Sequence, residues 1–346
     1  MRLIMTMFFS LVLSTTAFAE SALLEVERKT IEIYRSALPS VVNVSNMKVA
    51  QNFFNESTEV PQGAGSGFVW DTQGHVVTNF HVVQGGSSFV VTFHNDPKKY
   101  QATLVGAEPK KDIAVLKLKE MPPKVIPIKV GASKTLEVGQ MTFAIGSPFG
   151  LESSLTTGTV SATGRKIDGI GGVKIHDMIQ TDAAINMGNS GGPLLDSSGA
   201  LIGMNTVIFS TSGSSAGLGF AVPVDTIKMV APELIKHGKI IRPGLGIGVL
   251  DDRLKERLSI RQDGGAVITF VDKNGPAGKA GIQGMSQDRL GRVFIGDIVE
   301  AIDGKAVNGL DDIYHVLENY KIGDTVKLKV YRDGKVREVS VRLQSI

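Results

Sequence analysis

Ser190 stands in the run Gly188-Asn189-Ser190-Gly191-Gly192-Pro193, directly after Gln180-Thr181-Asp182-Ala183-Ala184-Ile185-Asn186-Met187. Glycines on both sides let the chain turn tightly with the serine hydroxyl on display, and they let neighbouring backbone N–H groups converge on one point. That is the arrangement of a nucleophile beside an oxyanion hole. Alone, such a run is also a common flexible turn. A serine hydroxyl attacks a carbonyl near neutral pH only with a base beside it, and the base needs an acid to orient it. Two upstream segments offer those groups. Val77-Thr78-Asn79-Phe80-His81-Val82-Val83 places a histidine at the end of an apolar strand, and Lys111-Asp112-Ile113-Ala114-Val115-Leu116-Lys117-Leu118 places an aspartate at the mouth of another. Taken singly, His81 reads as a satisfied polar residue and Asp112 as a turn former.

The chain order His, Asp, Ser is the order of chymotrypsin-like barrels. The same serine also satisfies G-x-S-x-G, the elbow of α/β hydrolases. That fold needs a helix straight after the serine and a triad histidine downstream, where the chain has His237 and His315. Gly191-Gly192-Pro193 would break such a helix, and Leu194 onward reads as strand, so the elbow reading fails on its own requirements.

The elements that must position these residues are short strands. Apolar runs bounded by Gly, Pro and Asp turns fall at 41–44, 63–69, 75–79, 89–93, 102–106 and 113–119, then at 125–130, 140–146, 155–162, 174–181, 194–196, 201–208 and 217–222. This spacing argues a mainly β Greek-key barrel or sandwich, and the His, Asp, Ser order favours the chymotrypsin-like double Greek-key barrel. An amphipathic helix is expected over 21–37 and another over 225–236, while 46–62, polar with Phe53-Phe54 at its centre, reads as a long loop. His237-Gly238-Lys239 and Arg242-Pro243 mark a linker. Beyond it, strands at 245–250, 266–271, 298–302, 325–331 and 335–343, with a short helical turn near Gly275-Pro276 and a helix over 310–320, make a complete small α+β domain.

Composition narrows the function class. Lys and Arg total 37 against 34 for Asp and Glu in 346 residues, a thin excess of three. The pairs Lys98-Lys99 and Lys110-Lys111 read as solvated turns, so no nucleic-acid partner is expected. With no cysteine, a thiol nucleophile, thiolate metal sites and a disulfide framework are all excluded. No metal or nucleotide motif is present, and no cofactor is expected. Residues 1–19 carry Arg2, an apolar stretch over Leu3–Leu13 and the small-x-small site Ala17-Phe18-Ala19, which reads as a signal peptide cleaved before Glu20. Thr6, Ser10 and Ser14 interrupt the apolar stretch, which is shorter than the ~20 residues of a spanning helix. Export without a retained membrane span is therefore expected, a retained anchor being the other possibility.

On these segments the sequence resembles the HtrA/Deg family of exported serine proteases. Thr78-Asn79-Phe80-His81-Val82, Asp112-Ile113-Ala114-Val115-Leu116 and Gly188-Asn189-Ser190-Gly191-Gly192-Pro193-Leu194 match its three catalytic segments. Gly244-Leu245-Gly246-Ile247-Gly248, Gly275-Pro276-Ala277 and the run Gly296–Gly304 match its PDZ pattern. The implied organisation is a signal peptide over 1–19, an N-terminal helix, first strand and long loop over 20–62, and the rest of a trypsin-like protease domain over 63–236. A linker over 237–243 and a PDZ domain over 244–346 follow. The resemblance implies Ser190 as nucleophile, His81 as general base, Asp112 as the group fixing the imidazole, and the N–H groups of Gly188 and Ser190 as the oxyanion hole. It places Ala184 at the base of the primary pocket with Ile185 and Phe209 lining it, implying cleavage after small or medium aliphatic residues; Ile185 and Phe209 read equally well as core.

Met187 departs from the family's usual residue before the glycine. Ser147–Glu152, Arg165–Val173 and Phe209–Ala216 would be its reordering loops. At the PDZ domain, Leu245, Gly246 and Ile247 would capture a substrate's terminal carboxylate and add its strand to the sheet edge. The family further implies ATP-independent degradation of unfolded or damaged exported proteins and assembly as a homotrimer or multiples of it, with Tyr34 and Phe53-Phe54 as candidate contacts. The compartment would be the periplasm of a Gram-negative bacterium, although the insertion at 283–294 resembles the chloroplast-lumen branch. A scaffold with chaperone or peptide-binding activity and minor proteolysis is the alternative.

Overall fold

The structure, a computed structural model, describes residues 23–51, 57–147, 153–168, 174–186, 188–206, 217–251, 254–255 and 264–345. Strands β1 (Val41–Gln51), β2 (Ser57–Val69), β3 (His75–Thr78), β4 (Ser88–Phe93), β5 (Lys99–Glu108) and β6 (Ile113–Leu118) close into one barrel, in the order β1-β2-β3-β6-β5-β4. Strands β7 (Met141–Gly146), β8 (Ser154–Asp168), β9 (Lys174–Thr181), β10 (Pro193–Leu195), β11 (Leu201–Thr206) and β12 (Gly219–Pro223) close into a second, in the order β10-β11-β12-β9-β8-β7. Closure leaves no free edge in either sheet.

Each barrel fills its interior with its own apolar residues. Val42, Val44, Val76, Val91, Tyr100 and Leu116 fill the first, and Ala144, Val160, Ile179, Leu194 and Ile202 the second. A further core joins them. Phe68, Val77, Ile113 and Val115 of the first barrel meet Phe143, Ile145, Leu195 and Leu201 of the second. This seam is covered by Ile33 and Ala37 of helix α1 (Glu25–Ala37) and by Val224, Ile227, Ala231 and Leu234 of helix α3 (Val224–His237). The i, i+3, i+7, i+10 spacing of the α3 residues puts them on one stripe, and Gly238, at φ 72°, ends the helix in the left-handed conformation glycine favours. Burying each Val, Ile, Leu or Phe side chain stabilises the seam by about 1.5–3 kcal/mol, so the two barrels behave as one body and the cleft between them has fixed walls.

Three sequence expectations differ from what is observed. The polar stretch at 46–62 is no long loop: β1 and β2 pair antiparallel out to Gln51↔Ser57, with a bulge at Asn46/Met47. Backbone pairing carries this arm beyond the barrel, where neither face needs apolar alternation, so the sequence shows no period. Phe53-Phe54 lie outside the described residues. Residues 125–129 form no strand; Pro122, Pro123 and Pro127 remove donors there, and the segment instead bridges the barrels through Ile128 N–H to Val69 O and Leu201 N–H to Lys129 O. His81 sits not at a strand end but in a one-turn helix, α2 (Phe80–Val83).

The C-terminal domain has its own core around Leu245, Ile268, Val299, Ile313, Leu328 and Val341. Its sheet runs Ile247–Val249, Ala266–Val271, Ile298–Ile302, Thr325–Arg332, Lys335–Arg342, which leaves Ile247–Val249 at one edge. Within the stretch 283–294, Ser286–Gln287 and Val293–Phe294 pair as a small hairpin. The fully buried Asp297 anchors its base, accepting from Gln283 N–H and bidentately from Arg332. No helix among the described residues is long and apolar enough to cross a membrane.

Candidate active site

Asp112 follows the 3-10 turn Pro109–Lys111 and takes φ 53°, a left-handed conformation that aspartate tolerates better than most residues. This twist reverses the chain so that its backbone carbonyl accepts from Phe80 N–H and from Asn79 Nδ2, tying the aspartate to the start of α2. Its carboxylate then receives His81 N–H at 3.1 Å, His81 Nδ1 at 2.9 and 3.0 Å, and the Thr206 hydroxyl at 2.8 Å. A carboxylate only accepts, so the His81 nitrogen facing it carries the proton, which leaves Nε2 with the free lone pair a base requires.

Ser190 belongs to the turn before β10 and is buried. The turn is held by backbone bonds: Asn189 N–H to Asn186 O, Gly192 N–H to Asn189 O, Gly191 N–H to Asn205 O and Asn205 N–H to Gly192 O. Asn189 also braces it from the side, accepting Asn186 N–H and donating to Ala184 O. Gly188 and Gly191 take φ 109° and 83°. A Cβ on Gly191 would lie 2.2 Å from Ser66 O and 2.5 Å from Thr78 Oγ1, so only glycine lets the turn press against the first barrel. Gly65 plays the same part beside α2, since a Cβ there would meet Val82 Cγ2 at 2.7 Å and Ser190 O at 3.1 Å. These contacts bring the Ser190 segment against the helical turn that carries His81.

The Ser190 hydroxyl is buried and has no hydrogen-bond partner among the described residues. The His81–Asp112 bond is thus made and a serine–imidazole bond is not; bonds of that kind often tighten only when substrate arrives. The Gly188 and Ser190 N–H groups donate to no other backbone carbonyl among the described residues, whereas those of Asn189, Gly191 and Gly192 are all committed.

Of the residues expected to line a pocket, Ala184 is half-buried, its carbonyl accepting from Thr156 Oγ1 and Asn189 Nδ2. Ile185 is packed in the second barrel's core with Ile179 and Leu194, and a Cβ on Gly219 would lie 2.6 Å from its Cγ1. Phe209 and Met187 lie outside the described residues. Sequence reasoning missed Thr206 and the anchoring role of Asn79. Thr206 carries no local motif, and Asn79, although inside the matched segment Thr78–Val82, has no property there that names its partner; each matters because folding places it on Asp112. Among the described residues no group of three or more His, Asp or Glu could hold a metal ion.

Comparison with known proteins agrees with this construction. Residues 65–204 match a trypsin-like peptidase domain and residues 243–343 a PDZ domain. The chain is 46% identical over 320 residues to Protease Do-like 1, chloroplastic, of Arabidopsis thaliana, an alignment covering 92% of this chain and 72% of that protein. The chain belongs to the HtrA/Deg family of serine proteases. A probable periplasmic serine endoprotease, DegP-like, of Brucella suis is 38% identical over 83% of this chain and 54% of its own length. Among solved structures, the HtrA-type protease AlgW with a decapeptide superposes with a TM-score of 0.69 at 30% identity, covering 92% of this chain and 98% of that one. This HtrA/Deg chain is therefore a serine endopeptidase built from a chymotrypsin-like double barrel and a PDZ domain.

In the PDZ domain, Leu245 is buried in the core, Gly246 takes φ 68°, and Ile247 opens the edge strand. The carbonyls of Leu245 and Gly246 are tied to Ala277 N–H and Asp272 N–H. The helix Leu310–Leu317 faces the protease domain. Tyr314 lies under Lys110 Nζ at 3.2 Å, Asp312 pairs with Lys166 at 3.5 Å, and Glu318 just beyond the helix pairs with Lys111 at 2.9 Å. The rings of His315 and His176 stack at 4.7 Å, and Arg242 of the linker pairs with Glu108 at 2.6 Å. Lys110 and Lys111 belong to the turn that ends in Asp112, so this domain touches the chain one residue from the aspartate. Burial, then the charges of Lys166, His315 and Lys111, hold the His176 imidazole below its ordinary pKa.

Proposed function

We propose that this chain cleaves peptide bonds through His81, Asp112 and Ser190. The observation that carries the reading is the His81–Asp112 pair, fixed by donors from both barrels, together with a buried serine hydroxyl that no other described residue engages. Ser190 Oγ adds to the scissile carbonyl while its proton passes to His81 Nε2. The oxyanion is received by the N–H groups of Gly188 and Ser190, and collapse expels the amine, which takes the proton from His81. Water repeats the sequence on the acyl-enzyme, restoring Ser190. No nucleotide or metal takes part.

The substrates are unfolded or damaged exported proteins. Ala184 offers no carboxylate to the primary pocket, which supports cleavage after small or medium aliphatic residues, with Ile185 and Phe209 as its walls. Leu245, Gly246 and Ile247 capture C-terminal peptides at the edge strand, a role supported by the decapeptide in the AlgW structure. Assembly as a homotrimer or multiples of it through the N-terminal segment, with Tyr34 and Phe53-Phe54 as contacts, rests on the family resemblance. Tyr34 also donates its hydroxyl to Ser153 O within the chain. Export rests on the pattern of residues 1–19. Relatives named for the chloroplast and for the periplasm both exist, and the periplasm fits the export pattern better.

Ser190→Ala should lower turnover of unfolded casein by roughly 10⁵-fold or more, since triad members act as a unit. Casein kept soluble without peptide release by the unaltered chain would favour the chaperone scaffold instead.

A further inference from the structure

Ser66 lies in β2, in the opposite barrel from the nucleophile, and is fully buried. Its Oγ donates to Gly188 O at 2.5 Å and accepts Ser147 N–H at 2.8 Å. Its backbone N–H donates to Ser190 O at 2.8 Å, and its carbonyl accepts from Thr78 Oγ1 at 2.7 Å. A hydroxyl has one proton, so with Ser147 N–H on a lone pair that proton is committed to Gly188.

The two carbonyls that Ser66 grips are two residues apart. Gly188 O belongs to the peptide joining Gly188 to Asn189, and Ser190 O to the peptide joining Ser190 to Gly191. Between them lies the peptide that carries the Ser190 N–H. One residue thus fixes the planes on either side of an oxyanion donor. At φ 109°, Gly188 has no side chain to resist rotation, so the restraint on its carbonyl has to come from outside the turn. Asn43 extends the brace, its Nδ2 donating to Ser147 O and Gly65 O.

We propose that Ser66 is a positioning residue for the oxyanion hole, holding the peptide planes around Ser190 so that the Gly188 and Ser190 N–H groups converge. This rests on the oxyanion role proposed for those two groups. Ser66 reaches no substrate atom; it acts through the backbone. Its contribution therefore belongs to the transition state, where charge develops on the oxygen, and not to ground-state binding.

The test uses the full chain carrying Ser66→Ala, a chromogenic peptide with valine at the cleaved position, and a peptidyl boronate. The boron accepts an electron pair from Ser190 Oγ and becomes a tetrahedral anion in the oxyanion site. Per titrated active site, kcat should fall roughly 10- to 100-fold, short of the roughly 10²- to 10³-fold of deleting an oxyanion donor outright. KM should stay within about threefold and the boronate Ki should weaken in step with kcat/KM. A role confined to stability would lower the number of titratable sites and the Tm while leaving kcat per site and Ki unchanged, and that result overturns the proposal. Ser66→Cys, nearly isosteric with a weak donor, should fall between parent and alanine variant, and it is the variant read if Ser66→Ala does not fold. If the parent cleaves and Ser190→Ala does not, unchanged kcat at Ser66 removes only this inference. If the parent itself fails to cleave, the endopeptidase reading falls first.

Discussion

The two halves of the candidate site are held in different ways. The His81–Asp112 half is fixed by side chains: the carboxylate takes an imidazole, a backbone N–H and the Thr206 hydroxyl, and Asn79 grips the same residue's carbonyl. The Ser190 half is fixed by backbone, with glycines packed so tightly that a Cβ on Gly191 or Gly192 would come within 2.2 Å of a carbonyl oxygen. A half held by side chains fails when a functional group is removed; a half held by backbone fails when an atom is added or an outside brace is lost. They also differ in their neighbours. The PDZ helix and the residue after it touch Lys110 and Lys111, beside Asp112.

Among the changes that separate how the two halves are held, the largest expected effect breaks the first. Asp112→Asn keeps the shape but offers His81 Nδ1 an amide that can present N–H, favouring the wrong tautomer, so kcat on an aliphatic peptide should fall about 10⁴-fold. A loss under tenfold in steady-state kinetics would remove Asp112 from the mechanism. Thr206→Val sharpens the comparison, because it deletes one of several donors to the same carboxylate while preserving volume. About a tenfold fall in kcat is expected from losing one charge-assisted hydrogen bond, with KM unchanged. No change would mean that the remaining donors suffice.

The smallest effect concerns the neighbouring domain. His176 faces Lys166, Lys111 and His315 with Asp177 beside it, and Glu318 lies 3.9 Å from His315. With its folded-state pKa lowered from 6.5, the docked state binds protons less readily than the separated or unfolded one. Its contribution is complete above the ordinary imidazole value and is lost as pH falls below it. Hydrogen exchange across Leu310–Leu317 should accelerate between about pH 7 and pH 5. His176→Gln, which cannot take up the proton, should flatten that dependence, and an equally steep profile in this variant would clear His176 of the effect.

Much of the site was legible because its chemistry sits in short runs. Glycines around Ser190, and polar residues interrupting apolar runs at His81 and Asp112, stand out wherever they occur, and short strands with Gly and Pro punctuation gave a barrel. The arm formed by β1 and β2 reads in sequence as a loop because strands that project past a core need no alternation. His81 reads in sequence as a strand end because one turn of helix leaves no period to show itself. Thr206, Asn79 and Ser66 are silent because a lone Thr, Asn or Ser in a strand or just past its end announces nothing about the group it will face.

From the order of its residues alone, the chain determined which groups can attack, accept a proton and orient, since those are properties of side-chain type. Tertiary structure alone decided which of many serines, threonines and asparagines brace them. A hydrogen bond depends on a few tenths of an ångström between atoms far apart in the chain, and only the meeting of the two barrels sets that distance.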